Sequence, residues 1–579
     1  MTYRMNWGLL RLDRRGRSPR INHPLRRART GSGAAARSSA AGAWAVLVAA
    51  SVLVFAPGAS ADSAPADPSN PATPVTVTAD SLPTVQIDGV VWQQTVIGDT
   101  VYAVGRFNTA RPAGAPAGSQ TTPRRNILAF SLSTGRLITT FTASLNAQAL
   151  AVAASPDGRR LYVGGDFTQV NGRAASRVVA LNPTTGAIIP GWAPAMSSSV
   201  RAIVATPETV YLGGSFNSVG STSRSRLAAV RASDGSLRPW RPSTQDGRVN
   251  ALVIAPDRSK LVAGGTFTSL NGTSQPGFGL GAVDAVNGGN LPTPVNAVVR
   301  NAGSYAGITS LSSDGTSWYG TGFVQRAENG NGNLEGSFAA NWSNLDIKWV
   351  EDCLGDSHSV FASDTAVYKA GHPHDCSRIN GYPEVTPRAE HRVLAYSKAA
   401  TQTLTRPGIR PPSFLGRPAP SLLVWFPDVD QGTATGQSQG PWAITGNSRY
   451  VVMGGEFRNV NLRGQQGLAR FAVSTIAPNR EGPRSADAAT NPALTSPAPG
   501  RINVRWRTSW DRDNARLSYR LYRDGVVINT RTLSSTFWQR PMTEYLDSVA
   551  PGTTHSYRVV VTDSFGNAIS STTVSLRAR

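Results

Sequence analysis

The chain is poor in cysteine, lysine and charge. Of 579 residues two are cysteine, and charged side chains make up 16%. Cys353 and Cys376 have only each other as partners, which leaves no free thiol for the Cys–Tyr cross-link of a copper–radical oxidase. None of the few lysines follows a glycine, so there is no phosphate-binding loop. No H-E-x-x-H metalloprotease motif is present. "GFGLG" (Gly277–Gly281) lacks the third glycine of a dinucleotide loop. "SLSSDGTSW" (Ser310–Trp318) is one residue short of an Asp box between Asp314 and Gly315, and reads as a turn. "DVDQG" (Asp428–Gly432) has oxygens for calcium but reads as a surface loop.

Glycine (57) and proline (39) are abundant, which predicts many short strands and turns rather than long helices. The formal net charge is +22. Ten arginines and one aspartate of that balance lie in residues 1–61. The remaining arginines are scattered rather than clustered beside aromatics, which excludes a nucleic-acid surface. Residues 1–61 read as a signal peptide: a basic region to Arg37, an apolar run over Ala40–Ala56, then "GASAD". The small-x-small pattern predicts cleavage between Ala61 and Asp62, hence a secreted chain with no membrane span after processing.

A repeated unit follows. "LYVGGDFTQVNG" (Leu161–Gly172), "VYLGGSFNSVG" (Val210–Gly220), "LVAGGTFTSLNG" (Leu261–Gly272) and "VVMGGEFRNVN" (Val451–Asn461) share one pattern. "VYAVGRFNTA" (Val101–Ala110) is a weaker copy. Each follows an apolar run and a turn, and several precede a third strand and a short fourth. Carrying the phase forward adds Gly307–Phe323 and His358–Pro373. The second glycines then fall at 105, 165, 214, 265, 322, 371 and 455. Seven units of four strands predict an all-β, seven-bladed β-propeller over 85–477, because no single such sheet can bury both faces. The last unit lacks a fourth strand, and Thr76–Gly89 is placed to supply it. Composition marks 62–84 as a disordered or linker segment and 478–489 as a linker. Residues 490–579 alternate apolar with polar between Asp-Gly and Gly-Asn turns, which predicts a small β-sandwich.

The "GGxF" units resemble the delta-sixty-type repeats of secreted bacterial proteins of actinobacterial type. The C-terminal part is similar to bacterial fibronectin type III modules, through Trp506, "YRLYRDG" (Tyr519–Gly525), "YLD" (Tyr545–Asp547) and Tyr557. Together these resemblances imply an extracellular protein acting on or beside polysaccharide. They supply no catalytic residues.

One stretch, "DCLGDSHSVFASDTAVYKAGHPHDC" (Asp352–Cys376), concentrates chemistry. Overlaying it on Arg201–Phe216 brings Cys353 and Cys376 to the same mouth of a hairpin, where an exported chain forms a disulfide. The same overlay gathers His358, His372 and His374 with Asp356. Two readings stay open: a site for zinc, calcium or another divalent metal, or polar groups that cap strands. No cofactor is otherwise expected. The leading functional reading is a monomeric, non-enzymatic protein that binds extracellular polysaccharide or a cell-envelope component. The alternative is a glycoside hydrolase or lyase with its site at the propeller mouth, which needs paired carboxylates converging from different blades.

Overall fold

The computed structural model describes residues 69–325, 332–409, 411–484 and 490–579. The expected signal peptide and its Ala61–Asp62 cleavage site lie outside them. The described chain is all-β, built from many small antiparallel sheets. Its helical elements are a turn at Val295–Val298 and a 3-10 turn at Ser377–Ile379. No helix among the described residues is long and apolar enough to cross a membrane.

Seven sheets among the described residues share one plan: three or four strands in sequential order. Their first strands are Val90–Ile97, Ala149–Ala154, Val200–Ala205, Val249–Ile254, Ala306–Ser313, Ser357–Ala362 and Pro441–Gly446. Each of these strands contacts the first strand of the next sheet, and the seventh contacts the first. The cycle explains the burial. The second strand of the third sheet, Thr209–Gly214, and that of the seventh, Tyr450–Gly455, are buried at every residue, because neighbouring sheets cover both faces.

The glycine pairs have two separate physical reasons. A Cβ on the first glycine would strike a β-branched side chain of the next sheet. Gly164 would meet Val200 at 2.6 Å, Gly213 would meet Val249 at 2.6 Å, and Gly264 would meet Ile308 at 2.6 Å. Gly454 does the same toward Val91 across the ring closure, also at 2.6 Å. A Cβ on the second glycine would strike a backbone carbonyl of its own sheet, as Gly214 would meet Ser199 O at 2.1 Å. The first glycine therefore sets the spacing between sheets, and the second sets the spacing within one. Tyrosines of the same strands tie sheets together: Tyr102 Oη donates to Pro183 O at 2.8 Å and Tyr211 Oη to Ala285 O at 2.8 Å.

The seventh sheet has three strands of its own. Thr78 N donates to Ala472 O at 2.9 Å and Leu82 N to Arg470 O at 2.8 Å, so the N-terminal segment occupies the missing edge. Buried Arg470 adds side-chain bonds to Leu132 O, Pro83 O and Thr84 Oγ1. Residues 69–84 are thus not the loose linker that composition suggests. Val77 and Ala79 are buried, and pairing with an otherwise open sheet edge orders them.

The C-terminal region forms two facing sheets. One joins Ala493–Thr495, Arg501–Arg507 and Met542–Ser548; the other joins Val526–Ser534, Arg516–Arg523, Thr554–Thr562, Ala568–Ser570 and Val574–Arg577. Arg501–Arg507 alternates exposed or partly exposed with buried, and its inward Ile502, Val504 and Trp506 pack on Leu517, Tyr519 and Val559. This region does not hang from a free linker. Phe537 and Trp538 stack against Tyr382 and Phe426, and Arg512 reaches Asn461. Pro478–Arg484 is pinned as well: Arg480 N donates to Asp80 Oδ2 at 2.8 Å and Arg484 N to Trp510 O at 2.7 Å. Side chains from both flanks bind what its composition marks as a spacer.

Candidate functional site

The glycine pairs also create the site. In every one of the seven sheets the ladder between first and second strand skips one residue, directly across from the glycine-pair position. The skipped residues are Trp92, Leu150, Arg201, Asn250, Thr309, His358 and Trp442. A bulge leaves its extra residue unpaired and re-aims its side chain. Because the first strands neighbour one another in a cycle, these seven positions form a ring at one end of the sheets. Contacts between successive members bear this out. Trp442 lies 5.1 Å from Trp92 and 4.1 Å from His358, centroid to centroid. Asn250 Nδ2 donates to Ile308 O, and Thr309 Oγ1 donates to Ser357 O. All but His358 are partly exposed, so the ring borders solvent.

Around the ring the chemistry is divided. The seventh, first and sixth sheets give an aromatic sector. Trp92 and Trp442 meet edge to face, at 69°. Trp92 Nε1 donates to Gln148 Oε1 at 2.9 Å, and Trp442 Nε1 donates to Glu456 Oε1 at 3.1 Å. Glu456 is further held by Thr435 N and Oγ1. Gln148 Nε2 donates onward to Asp166 Oδ2 at 2.7 Å, and Ser199 Oγ donates to Asp166 Oδ1. These bonds fix both indoles and use both carboxylates. The third and fourth sheets give a basic sector of Arg201 and Arg248, with Arg248 Nε donating to Asn250 Oδ1 at 2.9 Å.

The histidines lie in the sixth sheet's share of the mouth. His372 Nδ1 donates to Gln439 Oε1 at 2.8 Å, and His358 Nε2 points at the same oxygen at 3.2 Å. Asp356 N donates to His372 Nε2 at 3.2 Å, which fixes the His372 tautomer. Burial, with His372 beside it, pushes the His358 imidazole down to about 3, so it is neutral at physiological pH. Burial raises the Asp356 carboxyl, while His372 pulls it back. Glu335 lies close by, its Oε2 accepting from Gly355 N at 3.2 Å. Burial and the Asp356 charge push Glu335 up to about 7.

The structure thus brings Asp356, His358 and His372 to one place but not His374. His374 Nδ1 faces Glu384 Oε1 at 3.6 Å instead. The strand ends at Gly371, so the two-residue alternation that would align His372 with His374 no longer applies beyond it. Among the described residues, one group of three potential metal ligands has its ligand atoms within 4.8 Å of one another: Glu351, Cys353 and Cys376. Both sulfurs there are consumed by the Cys353–Cys376 disulfide. That bond fits an oxidising setting. The Glu351 carboxylate is taken by Lys369, at 2.9 and 3.0 Å.

Sequence reasoning missed Trp92, Trp442, Arg201 and Arg248. One signal could have found the first three: each stands a constant distance before its glycine-pair turn. Also missed was a G-x-S-x-G string, Gly436–Gly440. Its Ser438 is exposed, with φ 56°, in a loop that enters a strand, so it is not the strand-to-helix elbow of a nucleophile. Asp314 is the hub of a turn, accepting from Thr316 N and Ser317 N. A second concavity of about 250 Å³ lies where the C-terminal sheets meet the ring, near Phe426, Trp510 and Phe537. Its arginines are neutralised: Arg392 by Glu390, and Arg512 by Glu481 at 3.4 Å.

No protein-family model matches the chain, and no curated protein matches it. Among solved structures it is similar to the computationally designed Ika8 protein, at 10% identity and a TM-score of 0.35, over 85% of this chain and 98% of that one. Nothing further rests on that likeness.

Proposed function

We propose that the chain is an exported β-propeller of the delta-sixty-repeat kind, followed by a fibronectin type III-like module, and that it binds extracellular or envelope polysaccharide at the ring mouth. The propeller reading is supported by the cycle of seven first strands and the glycine pair or its variant in each sheet. The fibronectin-like reading is supported by the strand orders of the two C-terminal sheets and by the shared core around Trp506. The observation that carries the function is the tryptophan pair at the mouth. Two partly exposed indoles sit on adjacent bulges, each anchored through its N–H, beside amide and carboxylate groups. Rigid aromatic surfaces with polar groups at their edges suit the apolar faces and hydroxyl rims of pyranose rings.

Affinity electrophoresis or calorimetry against a panel of polysaccharides tests this. Wild type is expected to be retained by at least one polymer, and Trp92→Ala with Trp442→Ala to abolish retention without changing the fold. Retention unaltered by the double substitution would remove the mouth from the reading.

A specific observation favours a second reading. Glu335 is pushed up to about 7 by burial and the Asp356 charge, an environment that suits a general acid. A hydrolase or lyase would release new chain ends from the bound polymer, and Glu335→Gln would stop that release while binding persists. Polymer that stays intact during long incubation rejects this reading and leaves the binding one.

A further inference from the structure

Arg201 and Arg248 belong to adjacent sheets at the mouth. Arg201 is the bulged residue of the third sheet. Arg248 stands two residues before the bulged Asn250 of the fourth sheet and holds its side chain, Nε donating to Asn250 Oδ1 at 2.9 Å. Both are half-buried, yet neither forms an ion pair within the described residues. The Arg201 guanidinium makes no hydrogen bond, and its Nε is fully shielded from solvent. Arg248 uses only Nε, on the neutral Asn250 amide. Asp166 attracts Arg201 without bonding to it and spends its oxygens on Gln148 and Ser199. Burial and mutual repulsion pull Arg248 down to about 10.

Two unneutralised guanidinium groups side by side are unfavourable in an empty site. Buried charges are ordinarily paired, and each of these lacks a partner. The more deeply buried Arg512 and Arg470 are spent on neighbours: Arg512 meets Glu481, and Arg470 meets two carbonyls and a hydroxyl. The pair stands apart from them, and Arg201 occupies the same bulged column as Trp92 and Trp442.

We propose that Arg201 and Arg248 form an anion subsite of the mouth, which holds the acidic group of an anionic polysaccharide whose sugar rings lie on Trp92 and Trp442. This deepens the glycan-binding reading and rests on it. The planar forks match the oxygens of a carboxylate, sulfate or phosphate ester, and the low-dielectric wall behind them strengthens the attraction. Leu150, the bulged residue between Trp92 and Arg201 in the ring, carries no charge and leaves the charge recognition to these two side chains.

The test measures affinity for paired polymers: uronate-containing, sulfated and phosphodiester-linked chains, each beside a neutral chain of similar sugars. Wild type is expected to prefer at least one acidic polymer by about tenfold or more, with affinity falling as salt rises. Arg201→Gln with Arg248→Gln should erase that preference while affinity for neutral chains persists. Replacing the exposed Arg173 and Arg507 by Gln should leave the preference intact, which separates a built subsite from the general positive charge. Which acidic polymer is preferred identifies the acidic group. A second readout needs no ligand: Arg201→Gln should raise the thermal midpoint of the free protein, whereas an arginine with a structural role would lower it. Equal binding of acidic and neutral chains, or an acidic preference that survives the double substitution, overturns the anion subsite alone. Absence of binding to every polymer overturns the glycan reading beneath it.

Discussion

Replacing Lys369 by Met tests the central electrostatic element of the fold. Lys369 lies on the second strand of the sixth sheet, and Glu351 ends the last strand of the fifth. Their side chains are 0% exposed, and Nζ sits 2.9 and 3.0 Å from the two carboxylate oxygens. Glu351 also accepts from Ser337 N, Ser337 Oγ and Cys353 N, at 2.9, 2.6 and 2.8 Å. Removing the ammonium leaves a buried carboxylate with three neutral donors and no counter-charge. Breaking such a pair from one side costs about 3–5 kcal/mol. Guanidinium unfolding followed by tryptophan fluorescence should show a lower midpoint with an unchanged slope. Adding Glu351→Gln removes the charge and keeps an acceptor for the Ser337 and Cys353 donors, so the double variant should recover about 2 kcal/mol. A single variant within about 1 kcal/mol of wild type, or a double variant worse than the single, would refute the argument.

Two further outcomes follow from the geometry. Gly214→Ala places a methyl 2.1 Å from Ser199 O, a backbone atom fixed by the ladder, whereas Gly213→Ala meets the Val249 side chain at 2.6 Å. Overpacking of this kind costs about 1–3 kcal/mol, and Gly214→Ala should lie at the upper end; equal midpoints for the two variants would contradict the assignment of distinct roles. His391 is stacked on Phe537 at 4.5 Å, and burial with Arg392 beside it pulls its imidazole down to about 4. A depressed histidine is neutral when folded and takes a proton when unfolded, so stability present near pH 7 is lost as pH falls from about 6.5 toward that value. Relative to His391→Phe, wild type should lose about 2 kcal/mol between pH 7.5 and 5, and parallel pH profiles would count against it.

The repeat was legible because its glycines answer local steric demands. Gly214 and its counterparts have no substitute where a carbonyl stands at 2.1 Å, so the motif recurs even where strand sequences drift. Gly371 keeps its place although Ala370 and Pro373 depart from the pattern. The disulfide was legible for the same reason: the overlay of two units placed Cys353 and Cys376 together. The bulges were not. A bulge is a property of register between two strands, and nothing in "SVRAIVA" alone marks Arg201 as the residue left over. Nor could the sequence reveal that Arg201 and Arg248 lack partners, because that depends on Asp166 being spent on Gln148 and Ser199. His374 does not join His372, because the strand ends at Gly371 and its alternation with it. Composition misled at 69–84 and 478–484, where small and polar residues are ordered by neighbours rather than by their own propensity.

The internal repeat itself separates scaffold from site. Two columns stand opposite each other in all seven sheets. The second-glycine column holds glycine seven times, at 105, 165, 214, 265, 322, 371 and 455. The bulged column across from it holds Trp, Leu, Arg, Asn, Thr, His and Trp. Copies of one unit face the same packing problem, so a column that serves packing converges on the residue that solves it. The bulged column is free of that demand because its residues leave the ladder. Its differences are then the place where chemistry is set, one sheet at a time, on a backbone that stays the same. That division is why aromatic and basic groups occupy separate arcs of one ring. It also means that exchanging a bulged residue, such as Trp92 for Leu or Arg201 for Asn, changes the mouth at little cost to the sheets behind it.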